Sequence, residues 1–439
     1  MTKANPSNWI LTPRLMIFIS AMAFAEMSRT MTMVQIPIFL RELGASIQQI
    51  GLFFTIALIF PLLLRIFGGW ISDTIGRLRA LTLGSTAGML AFAAYTLAPT
   101  WQAALFAPAF LAATSALIFP SYKAFIADQT TDEIRGRVFG LSEAGINIAW
   151  ILGPLVGGLI AQYLGYRWMF ALATLTYATA TLIFLGLFRT HPIESTERNQ
   201  KLTLTAMQRS FKEMFVLMLS GGLVTWILIV DGVRDVAFKM SFDLMPVYLS
   251  EIGGITKQGI GFLDGFFGVA LALTLLPAGW LVDKTSERFG ITLGLITMIL
   301  SRLTFALASA YWGFAFSWIL LGVGGGLIDP AASSLIAKGV PQRFRGLAYG
   351  LVATSLGIIS LPAPWIGSQL WKWISPQAPF YLTVFLGLLA VIPAWIKLRI
   401  SNDYWVGVEV DPNSIHQNHS LLDSTEMNIS PSNYKIHSS

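Results

Sequence analysis

The chain has 439 residues, of which 54% are hydrophobic and only 12% charged, about half the charged share of water-soluble domains. That balance excludes a soluble enzyme or binding module and points to an integral membrane protein. The net charge of +6 comes without a basic stripe interleaved with aromatics, which argues against a nucleic-acid partner, and the lack of cysteine excludes disulfides and thiol chemistry.

Twelve apolar stretches can be read, each near the ~20 residues that cross the hydrocarbon core, so the expected fold is all-α and membrane-embedded. They cover residues 15–40, 50–71, 80–97, 101–126, 139–162 and 168–188, then 215–249, 260–282, 290–310, 312–336, 347–371 and 379–398. Residues 1–188 and 215–400 are expected to form two six-helix bundles. The polar stretch 189–214 reads as a cytoplasmic linker, and the polar residues 401–439 as a disordered cytoplasmic tail. Its sequons at Asn418 and Asn428 read as chance matches. With both termini in the cytoplasm, the loop Lys and Arg on the outer side are Arg41, Arg167, Lys257 and Lys372, and this scarcity selects that orientation in an inner or plasma membrane.

The halves are copies. Gly69, Trp70 and Asp73 return as Gly279, Trp280 and Asp283, a displacement of 210 residues that also carries Pro120 onto Pro330, Pro154 onto Pro364, Gly157 onto Gly367 and Phe170 onto Phe380. In the first and seventh stretches the displacement is 209, because Pro37, Glu42 and Gly44 match Pro246, Glu251 and Gly253. A fused duplication predicts two bundles related by a pseudo-two-fold axis along the membrane normal.

In chain order, the first stretch holds Glu26 and Arg29, three apart and therefore on one helical face. After the second stretch comes the turn Gly69-Trp-Ile-Ser-Asp73-Thr-Ile-Gly76-Arg77, in which Gly76 suits a tight turn and Asp73 with Arg77 suits a charged latch. The fifth stretch contains Gly153-Pro154-Leu-Val-Gly157-Gly158, where proline removes a backbone bond and the glycines admit a close neighbour. The seventh stretch carries Asp231, Arg234, Asp235, Lys239 and Asp243, four of them spaced by four in a slowly drifting stripe. Charges at this depth are costly and point to a water-filled or protein-lined path. Under the 209-residue displacement Glu26 matches Asp235, so two carboxylates are expected at similar depth beside the pseudo-axis. The alternative reading is a set of static ion pairs, Glu26 with Arg29 and Asp235 with Lys239. Glu143, Asp264, Arg302 and Asp329 are weaker candidates of the same kind.

The Gly69 to Arg77 turn resembles motif A of the major facilitator superfamily, and the Gly153 to Gly158 run resembles its motif C; together with the duplication the resemblance spans residues 15–398. It implies the major facilitator fold, a small-molecule substrate carried by alternating access, and, through motif C's association with antiporters, export of drug-like compounds or metabolites against protons. Two departures matter. Thr74 stands where the family prefers a base, and Pro108 stands where members with motif B carry an arginine, so coupling would fall to Glu26 and Asp235. Symport or facilitated uptake of a small organic ion is the competing expectation, and a non-transporting receptor or enzyme a remote one. No cofactor or metal is expected, since His191, His416, His419 and His437 all lie in the linker or tail and no phosphate loop is present. The chain is expected to work as a monomer in the lipid bilayer.

Overall fold

The computed structural model describes residues 12–190, 222–340, 348 and 357–399, leaving aside the side chains of residues 65–75, 132 and 190. The linker from residue 191, the tail 401–439, and the side chains of Gly69 and Asp73 lie outside that set.

Helix α1 (Pro13–Met33) opens with proline at its first position, where no N–H is needed, and the Thr12 hydroxyl accepts from Leu15 N at 3.4 Å. The span expected at 15–40 is not continuous: α1 ends at Met33, and α2 (Ile36–Glu42) follows after a turn at Val34 and Gln35. The cause is Pro37, which cannot donate to the carbonyl four residues back, that of Met33. The expected span 215–249 is corrected in the same way. Among its described residues it divides into α8 (Leu223–Phe242) and α9 (Met245–Glu251), with Pro246 four residues after Phe242.

The other first-half helices are α3 (Ile47–Ile75), α4 (Arg77–Leu97), α5 (Phe106–Gln129, preceded by a 3-10 turn at Ala103–Leu105), α6 (Asp132–Tyr163) and α7 (Tyr166–Thr190). The second half continues with α10 (Lys257–Lys284), α11 (Glu287–Leu307), α12 (Tyr311–Gly339), α13 (Ala363–Trp373) and α14 (Ala378–Lys397). Equivalent positions start equivalent helices: Ser46 accepts from Gln49 N at 3.3 Å ahead of α3, and Thr256 accepts from Gly259 N at 3.1 Å ahead of α10. Helix α6 begins seven residues before its apolar stretch, because its first turns are charged and lie beyond the apolar run. Among the described residues nine helices are long and apolar enough to cross a bilayer.

Packing repeats with the sequence. In the first half α1 lies against α6 and α7, α4 against α5 and α7, and α3 against α5; in the second, α8 lies against α13 and α14, α11 against α12 and α14, and α10 against α12. Each half has its own aromatic core. Phe39 and Tyr95 meet Phe170 at 4.8 and 4.9 Å between ring centres, while their counterparts Tyr248 and Phe305 meet Phe380 at 5.3 and 4.6 Å. Such rings bury large apolar areas and lock each bundle at the same point. Leu276 and Leu273, 85% and 72% exposed, show the opposite face, the one a bilayer would solvate.

Candidate transport site

Among the described residues the halves meet chiefly through α6 with α10, α3 with α13, and α2 with α9. The motif C run sits at the first. A Cβ at Gly158 would lie 2.9 Å from the Lys257 carbonyl and 3.0 Å from Gly261 Cα, both across the boundary between halves. A Cβ at Gly157 would instead fall on the Met31 carbonyl within its own half, and Gly153 is closed off by Thr30, whose hydroxyl donates to Ala149 O at 2.8 Å. The duplicate is faithful. Gly367 approaches the Met240 carbonyl as Gly157 approaches that of Met31, and Gly51 meets Ser368 as Gly261 meets Gly158. Helix α6 runs on through Pro154, whose carbonyl lies against Gly261.

At the end of the molecule carrying Leu43 and Ile252, ion pairs close this seam. Arg41 pairs with Glu251, and Lys257 with Glu42. Gln35 Nε2 donates to Lys257 O at 3.0 Å, Lys257 N donates to Gln162 Oε1 at 3.1 Å, and the Lys257 ammonium stands 4.0 Å from the Tyr166 ring centre. None of these partners was predicted from the sequence, although the 209-residue displacement that pairs Glu42 with Glu251 placed both acids at one level.

At the opposite end lies the expected latch, with the Asp73 side chain outside the described residues. Gly76 takes φ +87°, the left-handed region open to glycine, and lets α4 start directly after α3. Arg77 pairs with Asp128 at the end of α5 and donates to Ala124 O at 2.8 Å. Asp128 is a partner of Arg77 that the sequence reading missed. In the second half Asp283 is exposed, and Glu287 bonds Lys338 at 2.8 Å and Ser334 at 3.0 Å. Glu287 and Lys338 are the 210-residue counterparts of Arg77 and Asp128, with the charges exchanged. The exchange has an electrostatic consequence, because a helix N-terminus favours an anion and a C-terminus a cation. Glu287 and Lys338 obey that rule at the ends of α11 and α12, while Arg77 and Asp128 oppose it. Removing Lys338 leaves a Glu287 carboxylate only 10% exposed without its counter-charge, whereas removing Asp128 leaves an Arg77 side chain that is 34% exposed and still donates to Ala124 O. Lys338→Ala is therefore expected to lower the melting temperature of the purified protein more than Asp128→Ala, as read by differential scanning fluorimetry; equal shifts would refute this ranking.

Between the two ends lie the intramembrane charges. Arg29 Nε donates to both Glu26 oxygens at 3.1 Å, and its guanidinium covers the Trp150 ring at 4.9 Å. In the second half Asp231 pairs with Arg234 at 3.2 Å, and Lys239 bonds Asp235 and Ser360, each at 2.8 Å. Ser360 is the counterpart of Trp150, so each half rests the basic partner of its matched carboxylate on the same position. Asp243 caps α8 within electrostatic reach of Lys239. The structure brings Glu26 together with Arg29 and Asp235 with Lys239; no described bond joins the two carboxylates. Their side chains remain 17% and 20% exposed, so water reaches both. Asp264 on α10 faces Arg29 across the boundary and adjoins Trp318, and Asp329 on α12 lies open, near Arg234. Glu143 is exposed, as a rim residue would be.

Comparison with known proteins agrees with this geometry. The chain matches the Major Facilitator Superfamily profile over residues 18–253 and 232–413. It is 25% identical over 409 residues to multidrug resistance protein MdtG of Salmonella schwarzengrund, covering 90% of this chain and 97% of that one, and 24% identical to MdtG of Salmonella arizonae with the same coverage. Among solved structures it resembles a bacterial homologue of the iron transporter ferroportin in an inward-facing state, at a TM-score of 0.71 and 13% identity over 89% of this chain and 99% of that one. It also resembles the peptide transporter POT in complex with sulfate, at a TM-score of 0.69 and 15% identity over 89% of this chain and 94% of that one. Two pseudo-symmetric six-helix bundles, matched charged residues on α1 and α8 and a profile match along most of the chain lead to one identity: this protein is a transporter of the Major Facilitator Superfamily.

Proposed function

We propose that the protein exports small organic molecules, drug-like compounds or metabolites, across the inner membrane by exchange for protons. The carrying observation is the pair of partly hydrated ion pairs on α1 and α8, at matched positions beside the boundary between halves. Charges held at this depth serve as proton relays and substrate counter-ions in transporters. With both termini cytoplasmic, the seam closed by Arg41–Glu251 and Lys257–Glu42 faces outward, and we read this conformation as the one that loads from the cytoplasm. An inward-opening site facing the cytoplasm is the loading state of an exporter. Kinship to multidrug resistance proteins supports the same direction. The bundles 1–188 and 215–400 then rock about the glycine contacts of α6 and α10, with residues 189–214 as the connecting linker.

The test is transport by purified protein in vesicles under an imposed pH gradient, with amphipathic dyes and antibiotics of differing charge. Substrate is expected to accumulate against the direction of proton flow. Movement along with protons would make the protein a symporter, and flux indifferent to the gradient would make it a facilitator.

A further inference from the structure

An aromatic pair of the first bundle has no copy in the second. Phe92 and Tyr177 are buried with ring centres 5.6 Å apart, and Gly88 makes room for the tyrosine ring. Their counterparts at +210 are Arg302, Gly387 and Met298. Tyrosine to glycine removes slightly more volume than glycine to methionine returns, and a cavity of about 30 Å³ remains among α8, α11, α12 and α14. Phe238, Leu295, Met298 and Leu321 wall it, and Arg302 and Arg234 border it. A buried water needs roughly 10–15 Å³, so the space takes about two waters or one monatomic ion and is too small for an organic ligand.

Charge decides between those occupants. Arg302 is 2% exposed, and its Nη1 and Nη2 atoms have no hydrogen-bond partner. The Phe238 ring, whose centre lies 5.4 Å from the guanidinium carbon, orients the group without neutralising it. No described carboxylate pairs with Arg302. The other polar groups at the cavity are engaged: Arg234 pairs with Asp231 at 3.2 Å, and the Thr383 hydroxyl donates to Ala237 O at 2.8 Å. Water would accept from the orphaned N–H groups yet leave the charge in place. A cation buried without a counter-charge is strongly destabilising, whereas a monatomic anion supplies acceptor and charge together in the volume present. One uncompensated positive charge calls for one monovalent ion. The first bundle needs none, because Phe92 stands where Arg302 does.

We propose that this cavity is a chloride site, in which a single halide ion accepts from Nη1 and Nη2 of Arg302 and neutralises the guanidinium within the second bundle. The site lies inside one bundle and is independent of the direction and coupling proposed above.

The test is thermal unfolding of the full-length protein in detergent, with sodium gluconate exchanged for sodium chloride at constant ionic strength. Arg302→Met keeps an unbranched side chain without the charge, and serves as the reference that takes out general effects of the salts. Chloride is expected to raise the melting temperature of the unsubstituted protein saturably, by at least about 2 °C more than it does in Arg302→Met, because the ion binds the folded chain alone. Bromide is expected to act as chloride does. A second measurement needs no variant and decides the matter if Arg302→Met does not fold: crystals of the unsubstituted protein grown in bromide are expected to show an anomalous-scattering peak beside the Arg302 guanidinium. The same salt response in both proteins, as a cavity filled by water alone would give, would overturn the proposal. So would bromide-grown crystals with no peak at Arg302.

Discussion

Neutralising Glu26 or Asp235 is expected to abolish accumulation against a gradient while sparing downhill flux. One pH unit across the membrane stores about 1.4 kcal/mol per proton, enough for about tenfold accumulation at one proton per substrate. In Glu26→Gln or Asp235→Asn that ratio should fall to unity, because the amide fills the same space yet cannot take up and release a proton. Coupling requires that loaded and empty states differ in proton affinity at the coupling group. The competing view is that Glu26 merely neutralises Arg29, to which it is bonded twice at 3.1 Å. The two views separate in a double variant. If the pair is only neutralising, Glu26→Gln with Arg29→Met removes both charges and should restore uphill transport that Glu26→Gln alone had lost through an unpaired arginine. If Glu26 carries coupling, the double variant stays uncoupled. Uphill transport intact in both single variants would move the coupling site to Asp264, which faces Arg29 from the other half, or to Asp329 or Glu143.

How much of this was readable beforehand follows from the range of each interaction. The Glu26–Arg29 and Asp235–Lys239 pairs were legible because helical spacing of three or four puts the partners on one face. The breaks after Met33 and Phe242 were legible in principle, since Pro37 and Pro246 stood in view, but apolar residues on both sides of each break masked it as one span. Contacts between helices were not legible one by one. Nothing local in the chain joins Arg77 to Asp128 or Lys257 to Glu42. The duplication carried more than was drawn from it: the displacement that aligns Gly157 with Gly367 also aligns Arg77 with Glu287 and Asp128 with Lys338, and so marks the exchanged charges. What it could not supply is which of two adjacent glycines touches its own half and which touches the other, because that depends on how the bundles meet.

That distinction makes the second large effect. Gly157 and Gly158 are neighbours in one motif, yet a side chain at Gly157 meets the Met31 carbonyl inside the first bundle, while one at Gly158 meets Lys257 and Gly261 of the second. The contact at 157 persists when the bundles rock as rigid bodies; the contact at 158 exists only while the outer seam is closed. Gly157→Leu is therefore expected to damage the bundle in every state and to lower the yield of folded protein. Gly158→Leu is expected to leave the bundle intact and penalise the closed seam by about 1–3 kcal/mol, the usual cost of overpacking, which shifts the equilibrium toward an outward-open form by about five- to 150-fold. The absence of cysteine makes this measurable, since Gln35→Cys introduces a single thiol at a position that is 0% exposed within the seam. Gln35→Cys with Gly158→Leu should react with a membrane-impermeant maleimide from outside at least fivefold faster than Gln35→Cys alone, and exchange should slow. Labelling at the same rate in both backgrounds, with folded protein in each, would reduce the Gly158 contact to ordinary packing and leave the rocking axis to be sought at α3 and α13, where Gly51 meets Ser368.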